Sequence, residues 1–105
     1  MTITEALKTA AGRVRVHHFG PDQYQVDHWS EPHRAWWDGN PCSRVAALHA
    51  AWEAKVCAAL ELLGVEDAGA IANTAVYNEY PSDWRRVVRE AYKRAQEAEI
   101  RGNER

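Results

Sequence analysis

Polar and apolar residues alternate along two neighbouring segments early in the chain, residues 13–19 and residues 24–29. A period of two residues is typical of β-strands that bury one face. Between these segments, residues 20–22 read Gly-Pro-Asp, which are residue types that form tight turns. Residues 30–33 interrupt the alternation, and residues 34–37 supply a third, short strand candidate. The pattern therefore predicts a three-stranded antiparallel meander.

A period of three and four residues begins after these strands and continues for about six turns. Asn40 precedes Pro41, and this pair favours a helix start, because Asn can accept a free backbone N–H and Pro needs no partner there. Gly64 is the residue type that commonly follows the last helical turn. The apolar stripe in between consists of Val45, Leu48, Trp52, Val56, Ala59, Leu60 and Leu63. The pattern predicts one long helix that turns this stripe towards the core.

Three further segments favour helices. Residues 4–11 form a short candidate near the N-terminus. Residues 67–77 carry apolar residues at helical spacing, although residues 75–77 also fit an extended segment. A last helix is predicted to begin after Ser82 or Asp83, either of which can cap it.

Together these elements predict an α+β fold in which the meander packs on the long helix, with two or three further helices. The length of the chain suits one core, so we expect residues 1–105 to form a single domain. Residues 101–105 lie beyond the apolar stripe of the last helix, and we expect them to fray.

The strand alternation also predicts which side chains share a face of the sheet. If Val14 and Val16 face the helices, then Arg13, Arg15 and His17 lie on the opposite face. A simple strand register adds Gln25, Asp27, Trp29, Arg34 and Trp36 to the same face. Fixed positive charge beside flat rings suits a protein-binding hot spot or single-stranded nucleic acid. A solvated sheet face without a ligand is the alternative interpretation. The candidate binding residues on this face are Arg13, Arg15, His17, Trp29, Arg34 and Trp36.

A second candidate surface lies on the last helix, where Arg85 and Arg89 belong to an outer arc rich in arginine and lysine. Glu90 lies four residues before Arg94, so helical ion pairs on a solvated face explain much of this charge. The rival interpretation is a patch that binds acidic or phosphate groups. We therefore include Arg85 and Arg89 among the candidate binding residues.

The overall charge excludes two function classes. The formal net charge is −2, with a net negative middle segment between two net positive ends. This distribution fits neither a strongly basic nucleic-acid binder nor an acidic mimic of DNA. No apolar run is long enough to span a membrane, and residues 1–12 lack the pattern of a signal peptide. We expect a cytoplasmic protein with no membrane partner.

The cysteines and histidines give weak signals for chemistry. If Cys42 and Cys57 both lie on the long helix, about 22 Å separates them, which is too far for a disulfide. Cys42 in a first helical turn could be an activated thiol, but no oriented base is evident. The histidines His17, His18 and His28 could approach each other across a hairpin, yet their spacing sets no zinc site. We therefore expect neither a metal nor another cofactor, and a small Cys- or Zn-dependent enzyme is the third hypothesis.

Two resemblances bear on function. The element order is similar to that of the double-stranded RNA-binding domain, and residues 43–47 resemble the start of its second helix, but Val45 and Leu48 stand where that family has basic residues. In its size, its Ala-rich helix behind a Trp-rich meander and its mixed charge, the whole chain resembles small phage and prophage accessory proteins, including anti-CRISPR and other anti-defence inhibitors. That resemblance implies a non-enzymatic inhibitor, monomeric or homodimeric, that occludes a surface of a larger host protein or nucleoprotein complex. The alternative is a nucleic-acid-binding module that uses the sheet face.

Overall fold

The computed structural model describes residues 1–103. Within them the chain forms four helices and one three-stranded antiparallel sheet, so the predicted α+β fold is confirmed. Residues 101–103 belong to the last helix, which therefore extends further than expected, while residues 104 and 105 of the predicted frayed end lie outside the described residues. The elements are α1 (Ile3–Gly12), β1 (Val14–Gly20), β2 (Gln23–Ser30), β3 (Ala35–Trp37), α2 (Arg44–Leu62), α3 (Ala68–Asn78) and α4 (Trp84–Asn103).

The sheet has the order β1-β2-β3, with β2 in the middle, as the meander predicted. Val14 of β1 lies opposite His28 of β2, which in turn lies opposite Trp37 of β3. Val26, on the same face as His28, packs against α2. Because successive side chains alternate between faces, the odd-numbered residues of β1 and β2 point away from α2.

The start of α2 differs from the prediction. Ser43 is the N-cap, since its hydroxyl accepts the Ala46 N–H at 3.2 Å. Cys42 instead pairs with Tyr24 through two backbone hydrogen bonds of 2.8 and 2.9 Å. The Asn40-Pro41 signal for a helix start was therefore wrong, because pairing with β2 holds this segment extended. At the other end the prediction was correct: Gly64 has a φ of 74°, and the Val65 N–H donates to the Leu60 carbonyl at 3.0 Å.

The buried face of α2 was only partly predicted. Trp52, Val56 and Leu60 are buried among the helices, but Val45 and Leu48 are 65% and 46% exposed. At this end of α2 the sheet covers the face of Ala47 and Ala51 instead. The larger apolar side chains at this end, Val45 and Leu48, therefore lie beside the face of α2 that the sheet covers, and they remain exposed.

Two separate clusters form the interior. The larger one lies among the four helices and includes Leu7, Trp52, Ala72 and Val88. The smaller one, between the sheet and α2, has only Val26, Ala47 and Ala51 as buried members. Since α2 contributes to both clusters, it connects the sheet to the other helices.

Candidate binding surface on the outer face of the sheet

The outer face of the sheet is the side that points away from α2. The register places Arg15 opposite Asp27, His17 opposite Gln25, and Trp29 opposite Trp36. Residues directly opposite each other share a face, so the structure brings these predicted side chains together. We define the outer face as Arg13, Arg15, His17, Gln25, Asp27, Trp29 and Trp36.

An arginine and two tryptophans make direct contact on this face. The guanidinium carbon of Arg15 lies 3.5 Å from the centroid of the Trp36 ring. The rings of Trp36 and Trp29 meet edge to face, with centroids 5.6 Å apart and an interplanar angle of 65°. Both are favourable geometries, and each ring limits the rotation of its neighbour. The result is an exposed cation held over a fixed aromatic surface.

Arg13 and Glu31 extend this cluster. Trp29 Nε1–H donates to Glu31 Oε2 at 2.7 Å, and Arg13 Nη2 lies 3.5 Å from the same oxygen. Next to them, a shallow groove of about 540 Å³ lies between α1 and the tryptophans. Its lining residues are Lys8, Thr9, Gly12, Arg13, Trp29 and Trp36. The outer face therefore combines aromatic surface with charges of both signs.

Asp27 is the buried charge at the centre of the outer face, with a side chain only 7% exposed. Its Oδ1 accepts hydrogen bonds from Gln25 Nε2 at 2.8 Å and from the Gly39 backbone N–H at 3.1 Å. Its Oδ2 accepts one from His17 Nε2 at 2.8 Å. These hydrogen bonds keep the pKa of Asp27 below its usual value, and the bond from Gln25 contributes most. Burial acts to raise the pKa but does not outweigh them. The carboxylate therefore stays ionised and holds three segments of the chain together.

Gly39 approaches the central strand too closely for a side chain. A Cβ at this position would lie 2.2 Å from the carbonyl oxygen of Val26. Trp37 pairs with His28 and Cys42 with Tyr24, so the segment between these pairs contains one extra residue, as in a β-bulge. Sequence reasoning missed this contact between Gly39 and Asp27. The signal that could have found it is a glycine two residues after the end of an apparent strand.

The other candidate binding residues lie elsewhere. Arg34 is exposed in the turn between β2 and β3, with a φ of 49°. Arg85 and Arg89 are exposed on α4, which packs on α2, and α2 lies on the opposite side of the sheet from the outer face. Arg85 lies 4.9 Å from the Trp84 ring centroid. The structure therefore separates the α4 arginines from the sheet cluster.

Val16 was predicted to face the helices, and this prediction was wrong about its burial. The side chain lies on the same face as Val26 but is 48% exposed. Val14, two residues earlier, does pack against the small cluster beneath the sheet. Val16 is exposed because it lies on the edge strand β1. Ala47 and Ala51 of α2 pack against Val26 on the central strand β2 instead.

Both cysteines are free, and neither is in the setting expected for an activated thiol. Cys42 lies before α2, so it does not benefit from the helix N-terminus. Cys57 is beside a cavity of about 370 Å³ between the sheet and α2, and it donates to Glu61 Oε1 at 3.4 Å. Burial, with the nearby Glu61 and Glu53, raises the pKa of Cys57 to about 12. This thiol is therefore protonated at neutral pH.

Among residues 1–103, no three His, Cys, Asp or Glu side chains are grouped so that they could hold a metal ion. No helix in the same part of the chain combines the length and apolarity needed to cross a bilayer. In comparisons with known proteins, no family model, curated protein or solved structure matches this chain.

Proposed function

We propose that this chain is a non-enzymatic binding protein that uses the outer face to occlude a surface of a larger protein or nucleoprotein complex. The observation that carries this proposal is the contact between Arg15 and Trp36, with Trp29 packed against the same ring. Arginine and tryptophan are the residue types that most often dominate binding energy at protein interfaces. Here they are held in place before a partner arrives, which reduces the entropy lost on binding.

The charges of the outer face favour a protein partner. Arg13 is paired with Glu31, and Asp27 remains ionised beside His17. A polyphosphate backbone would gain from the arginines but would be repelled by both carboxylates. A protein surface can present charges of both signs and so complement this arrangement.

The proposed biological role follows from the resemblance to phage accessory proteins. We place this chain in the interior of a bacterial cell, as an inhibitor of the anti-CRISPR or wider anti-defence type. It acts by stoichiometric coverage of its target, so the arginines and tryptophans, rather than a reactive group, carry its effect.

A nucleic-acid-binding module is the second candidate function. Trp29 and Trp36 could stack on unpaired bases, and Lys8 adds a cation to the groove beside them. The two functions differ in salt dependence, because phosphate contacts release counterions and an interface between proteins of mixed charge releases few.

The first experiment identifies the partner. Affinity capture from bacterial lysate, with and without nuclease, is analysed for protein and for nucleic acid. A protein retained after nuclease treatment is then purified, and its affinity is measured over a range of salt concentrations. Capture of nucleic acid alone, with a steep salt dependence, would replace the proposed function with the second candidate.

The second experiment locates the binding surface. Arg15→Glu and Trp36→Ala are each expected to weaken the complex by at least about 1 kcal/mol, because both remove part of the preformed cluster. Their unfolding free energies should change by no more than about 0.5–1 kcal/mol, since the contact is at the surface. Arg89→Glu is the matched control, with the same charge change on α4. Normal affinity in both sheet variants, with loss in Arg89→Glu, would move the site to α4.

A further inference from the structure

Strand β1 is an edge of the sheet, and its outer backbone groups have no partner strand among residues 1–103. The Trp29 N–H donates to the Arg13 carbonyl at 2.8 Å. This bond identifies which residues of β1 bond to β2 along the rest of the ladder. In an antiparallel ladder, alternate residues of a strand bond to the same neighbour. The odd-numbered residues of β1 therefore bond to β2, and Val14, Val16 and His18 direct their backbone N–H and C=O groups to the free edge.

The side chains at this edge leave it accessible. Val16 is 48% exposed in the middle of β1, and Phe19 is 66% exposed near its end. β1 contains no proline, and its one irregularity in register lies at its end, between His18 and Gly20. Proline and bulges are devices that block strand addition, and the middle of β1 has neither, so its charge is what limits which strand can add.

That charge also selects the occupant. If two copies of β1 paired antiparallel through all three free positions, Val16 would lie opposite Val16, and Arg15 would lie opposite His17 twice. A second copy would therefore offer Arg15 an imidazole and no carboxylate, so it is a poor occupant. On this face Arg13 is already paired with Glu31 and His17 with Asp27, whereas Arg15 has no carboxylate partner among residues 1–103. A strand with a carboxylate opposite Arg15 would supply that partner. The alternate side chains of the added strand would lie on the other face of the sheet, beside the half-exposed Val16.

We infer that β1 accepts an extended segment of the partner protein as a fourth strand, with an acidic residue opposite Arg15 on the side of the outer face and apolar residues on the other side. This inference rests on the proposed function and names the form of its ligand. Backbone hydrogen bonds to Val14, Val16 and His18 supply affinity, and the alternating side chains supply specificity, as in other cases of strand addition. Nucleic acid cannot reproduce this pairing, because it lacks the alternating amide donors and acceptors.

The test uses the whole chain and a synthetic peptide of alternating glutamate and valine, with a lysine–valine peptide as control. The glutamate peptide is expected to slow hydrogen exchange at the amides of Val14, Val16 and His18 by about tenfold or more. Protection should be absent with the lysine peptide. Binding without protection of these three amides, or equal binding of both peptides, would overturn the inference.

A matched pair of variants tests the backbone directly. Val16→Pro removes an outward N–H and leaves the β1–β2 ladder intact, which is where edge strands tolerate proline. Val16→Thr keeps the N–H and a β-branched side chain. Val16→Pro should bind the glutamate peptide about tenfold or more weakly than Val16→Thr, while amide spectra show both folded. Equal affinities of the two variants would contradict strand addition. They would not contradict the proposed function, because the proposed function rests on the side chains of Arg15 and Trp36.

Discussion

Asp27 organises the outer face at the scale of single residues. One carboxylate accepts bonds from a neighbour on its own strand, from His17 on β1, and from the backbone of Gly39 after β3. Burial of a charge is unfavourable unless it is fully hydrogen-bonded, and here three donors meet two oxygens. The side chain therefore fixes the relative positions of β1, β2 and the segment that follows β3.

Replacing Asp27 should reveal this role as a pH dependence of stability. The pKa of Asp27 is lowered in the folded state, so its contribution is present above its unfolded pKa and is lost as pH falls through the folded pKa. Asp27→Asn should reduce the free energy of unfolding by about 1.5–3 kcal/mol near pH 7, the usual range for hydrogen bonds to a charged group. The difference from wild type should shrink below about pH 4. A constant difference from pH 7 to pH 3, in urea unfolding, would contradict the assignment.

Gly39 is the second residue on which the sheet depends. Gly39→Ala should reduce the free energy of unfolding by about 1–3 kcal/mol, because its Cβ would collide with the Val26 carbonyl. Gly69→Ala is the matched control: it lies within α3, where an added Cβ meets no atom within 4 Å. Helix propensity predicts that this control stabilises the protein by about 0.5–1 kcal/mol. Equal effects in thermal unfolding of the two variants would show that the close approach at Gly39 is unimportant.

At the scale of elements, α2 divides its length between two neighbours. Its first half lies on the sheet through small side chains, and its second half lies among the other helices through larger ones such as Val56 and Leu60. Trp52 stands at the boundary, and its Nε1–H donates to the Ser82 carbonyl at 2.8 Å, just before α4 begins. This bond ties the start of α4 to the middle of α2.

Trp52→Ala should reduce the free energy of unfolding by about 3–5 kcal/mol, the usual result of truncating a large buried aromatic side chain. Leu48→Ala, one turn earlier on the same helix, should have a much smaller effect, since Leu48 is 46% exposed. Urea denaturation of both variants provides the measurement. A loss below 1 kcal/mol for Trp52→Ala would place that side of α2 in solvent.

The sequence predicted what short-range periodicity can encode. Alternation located β1 and β2 and placed Arg15 and Trp36 on one face, since both follow from local geometry. The start of α2 was mispredicted because a contact with Tyr24, distant in sequence, outweighs a strong local signal. The partners of Asp27 could not be predicted for the same reason: they depend on which residues the register sets side by side.

The whole molecule is extended, with dimensions of 55 × 31 × 20 Å. Its radius of gyration is 14.7 Å, against about 13 Å for a compact domain of this length. The helices hold most of the buried apolar side chains, while three residues form the buried core under the sheet. We therefore expect stability to be unevenly distributed, with the proposed binding surface in the less stable part.

Native-state hydrogen exchange should show this difference. The amides of Gln25 and Asp27 in β2 are expected to open with a free energy at least about 1 kcal/mol below that of Val56 and Val88 in the helices. The physical reason is that local opening of the sheet exposes little apolar surface. Identical opening free energies in all four positions would mean that sheet and helices unfold only together.

The thin layer between the sheet and α2 has a consequence for the position of the sheet. Ala47 and Ala51 present only methyl groups to Val26, so the size of these two side chains sets how far the outer face stands from the helices. A larger side chain at either position would shift the whole outer face without replacing any residue on it. The outer face can therefore be moved from beneath while its own side chains stay the same.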